Sequence, residues 1–165
     1  ESSTCPVIGV VESGALATSN TLQDKTSDIL IIGTKATVNS KAYERELNAL
    51  GFENLQAKAT GLFVPLVEEE IYDGAIIEAT LKHYFHNIKT PHAIILGCTH
   101  FPLISDALQN YFGKNIILIH SGDAIVEYLE KIIKFDKRYA NPELKFFASE
   151  NPEALRAIAK KWLKV

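Results

Sequence analysis

Cys98 and His100 stand two residues apart, at the end of the apolar run Ala93-Ile94-Ile95-Leu96 and just before Pro102-Leu103-Ile104. A thiol beside an imidazole is an activated arrangement, because the ring can take the sulfur's proton and leave a thiolate. A short apolar run bounded by a turn reads as a buried strand. Pro102 followed by an amphipathic segment reads as a helix start. The thiol is therefore expected at a strand-to-helix turn, where backbone N–H groups and the helix dipole favour negative charge. The competing reading is a buried, inert thiol with His100 capping or packing at the turn.

Other residues could also carry chemistry. Gly33-Thr34-Lys35-Ala36-Thr37 follows a buried run and opens a helix, and its N–H groups and two hydroxyls suit a carboxylate or a phosphate. It lacks the spacing of a P-loop and of a dinucleotide fingerprint, so a well-capped turn without a ligand is the alternative. Glu68, Glu69 and Glu70 follow Val64-Pro65-Leu66-Val67 and read as carboxylates at a helix start, a solvated face from which one could turn inward to orient a histidine. His83 and His86 are spaced to share a metal on one helix face, but no third ligand is near, and surface histidines are the simpler reading. Ser13 and Ser121 lack a nucleophile-elbow pattern and read as turn or cap residues.

The elements that must position these groups alternate between strand and helix. Val7–Val11 is the first predicted strand, with a helix from about Gly14 to Thr21 and a polar linker over residues 22–28. Ile29–Ile32 is the next strand. A helix over Lys41–Leu50 follows, capped by Asn39 or Ser40 and stopped by Gly51. Leu55–Ala59 is a strand, and Pro65–Tyr72 a short helix opening on its proline. Ile77, Leu81, Tyr84 and Ile88 form one apolar stripe of a longer helix. Then come the strand ending at Gly97, a helix over Pro102–Phe112, a strand over Ile116–Ile119 and a helix over Ser121–Lys134. A polar loop, a strand over Leu144–Ala148 and a helix opening on Asn151-Pro152 complete the chain. Strands separated by helices imply an α/β fold with a mainly parallel sheet flanked by helices. Ligands bind at the carboxyl ends of such strands.

The chain has 165 residues, 47% apolar and 22% charged, which suits one globular domain plus extra elements. A net charge of −3 gives no electrostatic footprint for nucleic acid, and no like-charge block suggests a membrane surface. No apolar run approaches the roughly 18 residues that span a bilayer. The two cysteines, Cys5 and Cys98, are too few for an all-thiolate zinc site and point to a reduced, cytoplasmic setting. The chain starts at Glu1 and contains no methionine, so a processed protein or a piece of a longer one is expected.

Five segments together resemble the glutamate racemases, within the cofactor-independent aspartate/glutamate racemase superfamily. They are Pro6–Glu12, Gly33–Thr37, Phe63–Glu69, Leu96–Ile104 and His120–Ile125, spread along the whole chain in the family's order. The resemblance implies interconversion of L- and D-glutamate without pyridoxal phosphate or metal, supplying D-glutamate for peptidoglycan. It implies two similar α/β domains facing each other across the site, each giving one cysteine. One thiolate removes the α-proton and the opposite thiol delivers a proton to the other face. Cys98 matches the second domain's cysteine, which takes the proton from L-glutamate. His100 matches its assisting histidine and Glu68 the acidic residue associated with that histidine. Thr99, Thr34 and Thr37 match substrate-contacting positions.

The family's first-domain motifs, an Asp-Ser-Gly turn and an Ala-Cys-Asn-Thr-Ala segment, do not occur here, and Cys5 does not match the first catalytic cysteine. The resemblance therefore divides the chain into residues 1–25, the tail of a missing first domain and a linker; residues 26–119, the second racemase domain; and residues 120–165, a segment returning to the first domain. The expected partners are glutamate, the missing N-terminal domain and, as an option, a second copy in a homodimer. Alone, the chain is expected to be inactive. Three alternatives stay open: a relative acting on aspartate or a hydantoin, a non-catalytic ligand-binding domain, and a Cys–His hydrolase.

Overall fold

The computed structural model describes residues 7–132 and scattered positions between 145 and 160. The chain divides into two compact units, residues 1–133 and 134–165. In the second unit the described positions 152, 153, 156, 159 and 160 are helical, and positions 145 and 147 of the expected last strand carry no strand; the expected loop and the remainder of that strand and of the final helix fall on residues outside that description.

The first unit is built on four parallel strands: β1 (Ile29–Gly33), β2 (Leu55–Ala59), β3 (Ala93–Gly97) and β4 (Ile117–His120), in the order β2-β1-β3-β4. Register pairs Gly33 with Gly97 and with Ala59, so three strands end level with one another. Side chains alternate between the two faces of each strand. Leu30, Ile32, Ile94 and Leu96 point to one core, and Ile29, Ile31, Ala93 and Ile95 to the other. Strands apolar on both faces need helices on both sides, which explains why the runs read as unbroken hydrophobic stretches.

The first core is closed by α4 (Phe63–Glu68), α5 (Gly74–Phe85), a 3-10 turn (Phe101–Ile104) and α6 (Ser105–Phe112). The second is closed by α1 (Val10–Thr21) and α3 (Ala42–Ala49), with α7 (Ser121–Ile132) packed along α1. A short helix, α2 (Lys35–Ser40), leads from β1 into α3.

Three elements differ from their expected form. Val7–Gly9 carry no strand, and helix α1 begins at Val10. Its buried positions are Ser13, Gly14, Ala15 and Thr18, so small side chains rather than an apolar stripe make its contact face. Helix α4 starts at Phe63, two residues before Pro65, because Phe63 and Val67, one turn apart, both enter the core. The proline sits within the first turn, where its missing N–H is not needed. The glutamate run accordingly ends a helix instead of opening one: Glu68 is its last residue, Glu69 its C-cap, and Glu70 has φ of 60°. Finally, helix α6 proper begins at Ser105, with the 3-10 turn in front of it.

Candidate active site

The carboxyl edge of the sheet collects the residues that follow each strand: Thr60 after β2, Thr34 after β1, Cys98 after β3 and Ser121 after β4. Neighbouring strands lie about 4.8 Å apart, so these groups form a row. Cys98 is half-buried. Its Sγ lies 3.6 Å from Nδ1 of His100, and Nε2 of His100 lies 3.2 Å from Oε1 of Glu68. The expected thiol, imidazole and carboxylate are thus brought together as a relay. The α-helix dipole contributes less than expected at the sulfur, because a turn and a 3-10 segment separate Cys98 from α6. The imidazole, 3.6 Å away, is the sulfur's hydrogen-bonding neighbour.

Local packing explains how residues 32 positions apart meet. The Phe101 amide donates to the Cys98 carbonyl at 3.1 Å and the Leu103 amide to the His100 carbonyl at 3.2 Å, which fixes the turn carrying both side chains. Phe101 is fully buried and meets Phe63 edge-on, with centroids 5.7 Å apart. Phe63 opens α4, and Glu68 closes it a turn and a half later. The Phe63–Phe101 contact therefore sets the carboxylate's reach to the imidazole.

An imidazole set between a thiol and a carboxylate has a defined use: with the proton on Nε2, facing the carboxylate, Nδ1 would present its lone pair to the sulfur, the arrangement of a nucleophile–base–acid triad.

Thr34 is the N-cap of α2. Its Oγ1 accepts from the Thr37 amide at 3.3 Å, and the two hydroxyl groups lie 3.1 Å apart. The structure thus places Thr34 and Thr37 together beside the thiol's strand. Thr99 is exposed next to Cys98. His83 and His86 sit apart from this edge: the His83 ring lies against Tyr84, and Nδ1 of His86 is 3.2 Å from the Lys82 carbonyl oxygen. Among the described residues no group of three metal-ligating side chains occurs. No helix among them is long and apolar enough to cross a membrane. A cavity of about 560 Å³ between α5 and α6 is lined by Ile77, Leu81, Leu103 and Tyr111, away from the thiol. The site is assigned on its chemistry, not on volume.

Sequence reasoning passed over two residues at this edge. Thr60 is fully buried, and its Oγ1 has no hydrogen-bond partner among the described residues. Ser121, read as a cap, shares a 2.7 Å hydrogen bond with the Tyr43 hydroxyl. The signal available was positional: each is the first or second residue after a predicted strand, where a parallel sheet keeps its functional groups.

The model of the Asp/Glu/hydantoin racemase family matches residues 1–129. The chain belongs to that family. Among its relatives, the glutamate racemase of Nitratiruptor sp. is 56% identical over 96% of the chain and 62% of its own length. That of Campylobacter jejuni is 48% identical over 96% of the chain and 63% of its own length. The crystal structure of the Campylobacter jejuni enzyme superposes with a TM-score of 0.94 at 46% identity, covering 99% of this chain and 66% of that one. A Francisella tularensis glutamate racemase solved in complex with D-glutamate superposes at 0.77 with 28% identity, covering 98% of this chain and 61% of that one. The chain thus spans less than two thirds of the length of these relatives.

Proposed function

We propose that this chain supplies the second thiol of a glutamate racemase. The observation that carries the reading is the Cys98–His100–Glu68 relay at the carboxyl edge of a parallel sheet. The glutamate racemases at 56% and 48% identity support glutamate as the substrate. The chain's short span relative to them supports a first domain, with its own thiol, lying outside these residues.

The chemistry follows from the relay. His100 Nδ1 takes the Cys98 proton, leaving a thiolate beside an imidazolium. The thiolate removes the α-proton of L-glutamate; the C–H pair becomes the carbanion's electrons, delocalised into the α-carboxylate, and the sulfur becomes S–H. A thiol from the first domain protonates the opposite face, which inverts the centre. Proton exchange with water, lost from Cys98 and gained by the opposite sulfur, resets the site for the next L-glutamate; starting from D-glutamate, the same steps run in reverse. The α-proton is very weakly acidic, so the carbanion needs preorganised dipoles and a dry, well-placed base. The amides and hydroxyls of Thr34, Thr37 and Thr99 are assigned to the substrate carboxylates. No metal or pyridoxal phosphate has a role in this scheme. The product serves peptidoglycan synthesis in the cytoplasm, and the active species includes the first domain, with pairing into homodimers an added option.

Circular dichroism of the full-length protein with each enantiomer of glutamate and aspartate, and with a hydantoin, tests the assignment. Racemisation of glutamate in both directions, with the others inert, is expected. Preferential turnover of aspartate or a hydantoin overturns the substrate, and turnover of none overturns the enzyme.

A further inference from the structure

We propose that Tyr43 is a positioning residue for the Cys98 thiol, acting through a hydroxyl pair with Ser121; this builds on the role given to Cys98 above. Tyr43 lies on α3 and is 2% exposed. Its ring is a wedge between three elements. On one edge, a Cβ added at Gly14 of α1 would lie 3.2 Å from Tyr43 Cε1 and 3.0 Å from Ser121 Oγ. On the other edge, a Cβ at Gly97 would lie 3.2 Å from Tyr43 Cε2 and 2.8 Å from the Ile32 carbonyl oxygen. Gly97 is the residue before Cys98. The ring thus lies beside the backbone that carries the thiol, close enough to leave no room for a side chain at position 97.

Glycine within a helix is less stable than alanine. Gly14 is nonetheless the residue that leaves room for the ring and for Ser121. The hydroxyl has a separate task from the ring. Phenylalanine would fill the same space, but a buried hydroxyl requires a partner, and here that partner is the first side chain of α7, 2.7 Å away. Burial pushes the phenol's pKa up, and the bond to Ser121 opposes that shift, in keeping with a neutral phenol that serves as a hydrogen-bonding strut. The pair ties the start of α7 to the ring, and the ring holds the end of β3 against β1. Proton transfer to or from carbon depends steeply on such placement, because an error of about 1 Å can cost a hundredfold in rate.

The test measures, by mass spectrometry of the peptide that carries Cys98, the rate at which iodoacetamide alkylates this thiol near neutral pH in the full-length protein. Tyr43→Phe and Ser121→Ala are each expected to raise the rate by roughly threefold or more, since a loosened strand end opens locally. The double variant is expected to match either single one, because the two hydroxyls act as a unit. Ser121→Thr, which keeps the hydroxyl, is expected to label at the wild-type rate. The enhancement is expected to stay constant in urea below the unfolding transition, whereas labelling through global unfolding would grow with urea. A Tyr43→Phe or Ser121→Ala rate at or below wild type overturns the proposal, and so does an enhancement that climbs with urea. The readout needs no turnover, so a failure of the racemase assignment would show separately, in the circular dichroism assay.

Discussion

At the scale of single residues, the proposed chemistry rests on three side chains supplied by two segments. Glu68 is more than half exposed, so its value to the site is orientation more than Coulomb energy. Glu68→Gln keeps the shape but removes the charge that the proposed mechanism sets beside the imidazole. In the full-length protein kcat is expected to fall roughly 10- to 100-fold with little change in KM, less than the 10²- to 10⁴-fold typical of the proton-transfer group itself. Steady-state kinetics in both directions check this. Thr34→Ala removes the cap of α2 and is expected to cost about 1 kcal/mol in urea unfolding. Tyr43 gives a pH test. Its folded-state pKa is raised above the ordinary 10.0, so its contribution is complete below that value and is lost as pH rises through the higher folded value. Unfolding free energy measured against pH is expected to decline above about 10, and less steeply in Tyr43→Phe.

At the scale of elements, much of the site was legible in advance because buried parallel strands announce themselves. β1, β3 and β4 come from apolar runs, whereas β2, with Gln56 and Lys58 in it, is half-exposed and leaves a fainter trace; the Cys98–His100 pair directly follows β3. Other features left no such trace. Helix α1 buries Ser13, Gly14 and Thr18, so hydrophobic periodicity cannot reveal its face, and the β-branched run over Val7–Val11 reads as strand. The start of α4 is decided by Phe63 meeting Phe101, a tertiary contact that outweighs the preference of proline for a helix's first position. The Tyr43–Ser121 bond joins residues 78 apart, a separation that no local pattern reports. The close approach of β1 and β3 supplies the element-scale test. Gly97→Ala places a methyl 2.8 Å from the Ile32 carbonyl oxygen, where backbone must shift. A destabilisation of about 2 kcal/mol is expected in urea unfolding, together with altered reactivity of Cys98.

At the scale of the whole molecule, the proposed mechanism gives residues 7–132 one half of a two-sided reaction. A thiolate on one face of the α-carbon accomplishes removal and return of a proton, but inversion needs a donor opposite. The 165-residue chain by itself is therefore expected to leave the optical rotation of either glutamate enantiomer unchanged, and turnover near that of complete racemases would refute the division of labour. The central claim is that the sulfur of Cys98 takes the α-proton of L-glutamate. It is tested most directly by nuclear magnetic resonance of L-glutamate incubated in D₂O with the full-length protein and its Cys98→Ser variant. Deuterium is expected to enter Cα with the wild type and to stay out with the variant; exchange that persists without this thiol would contradict the account.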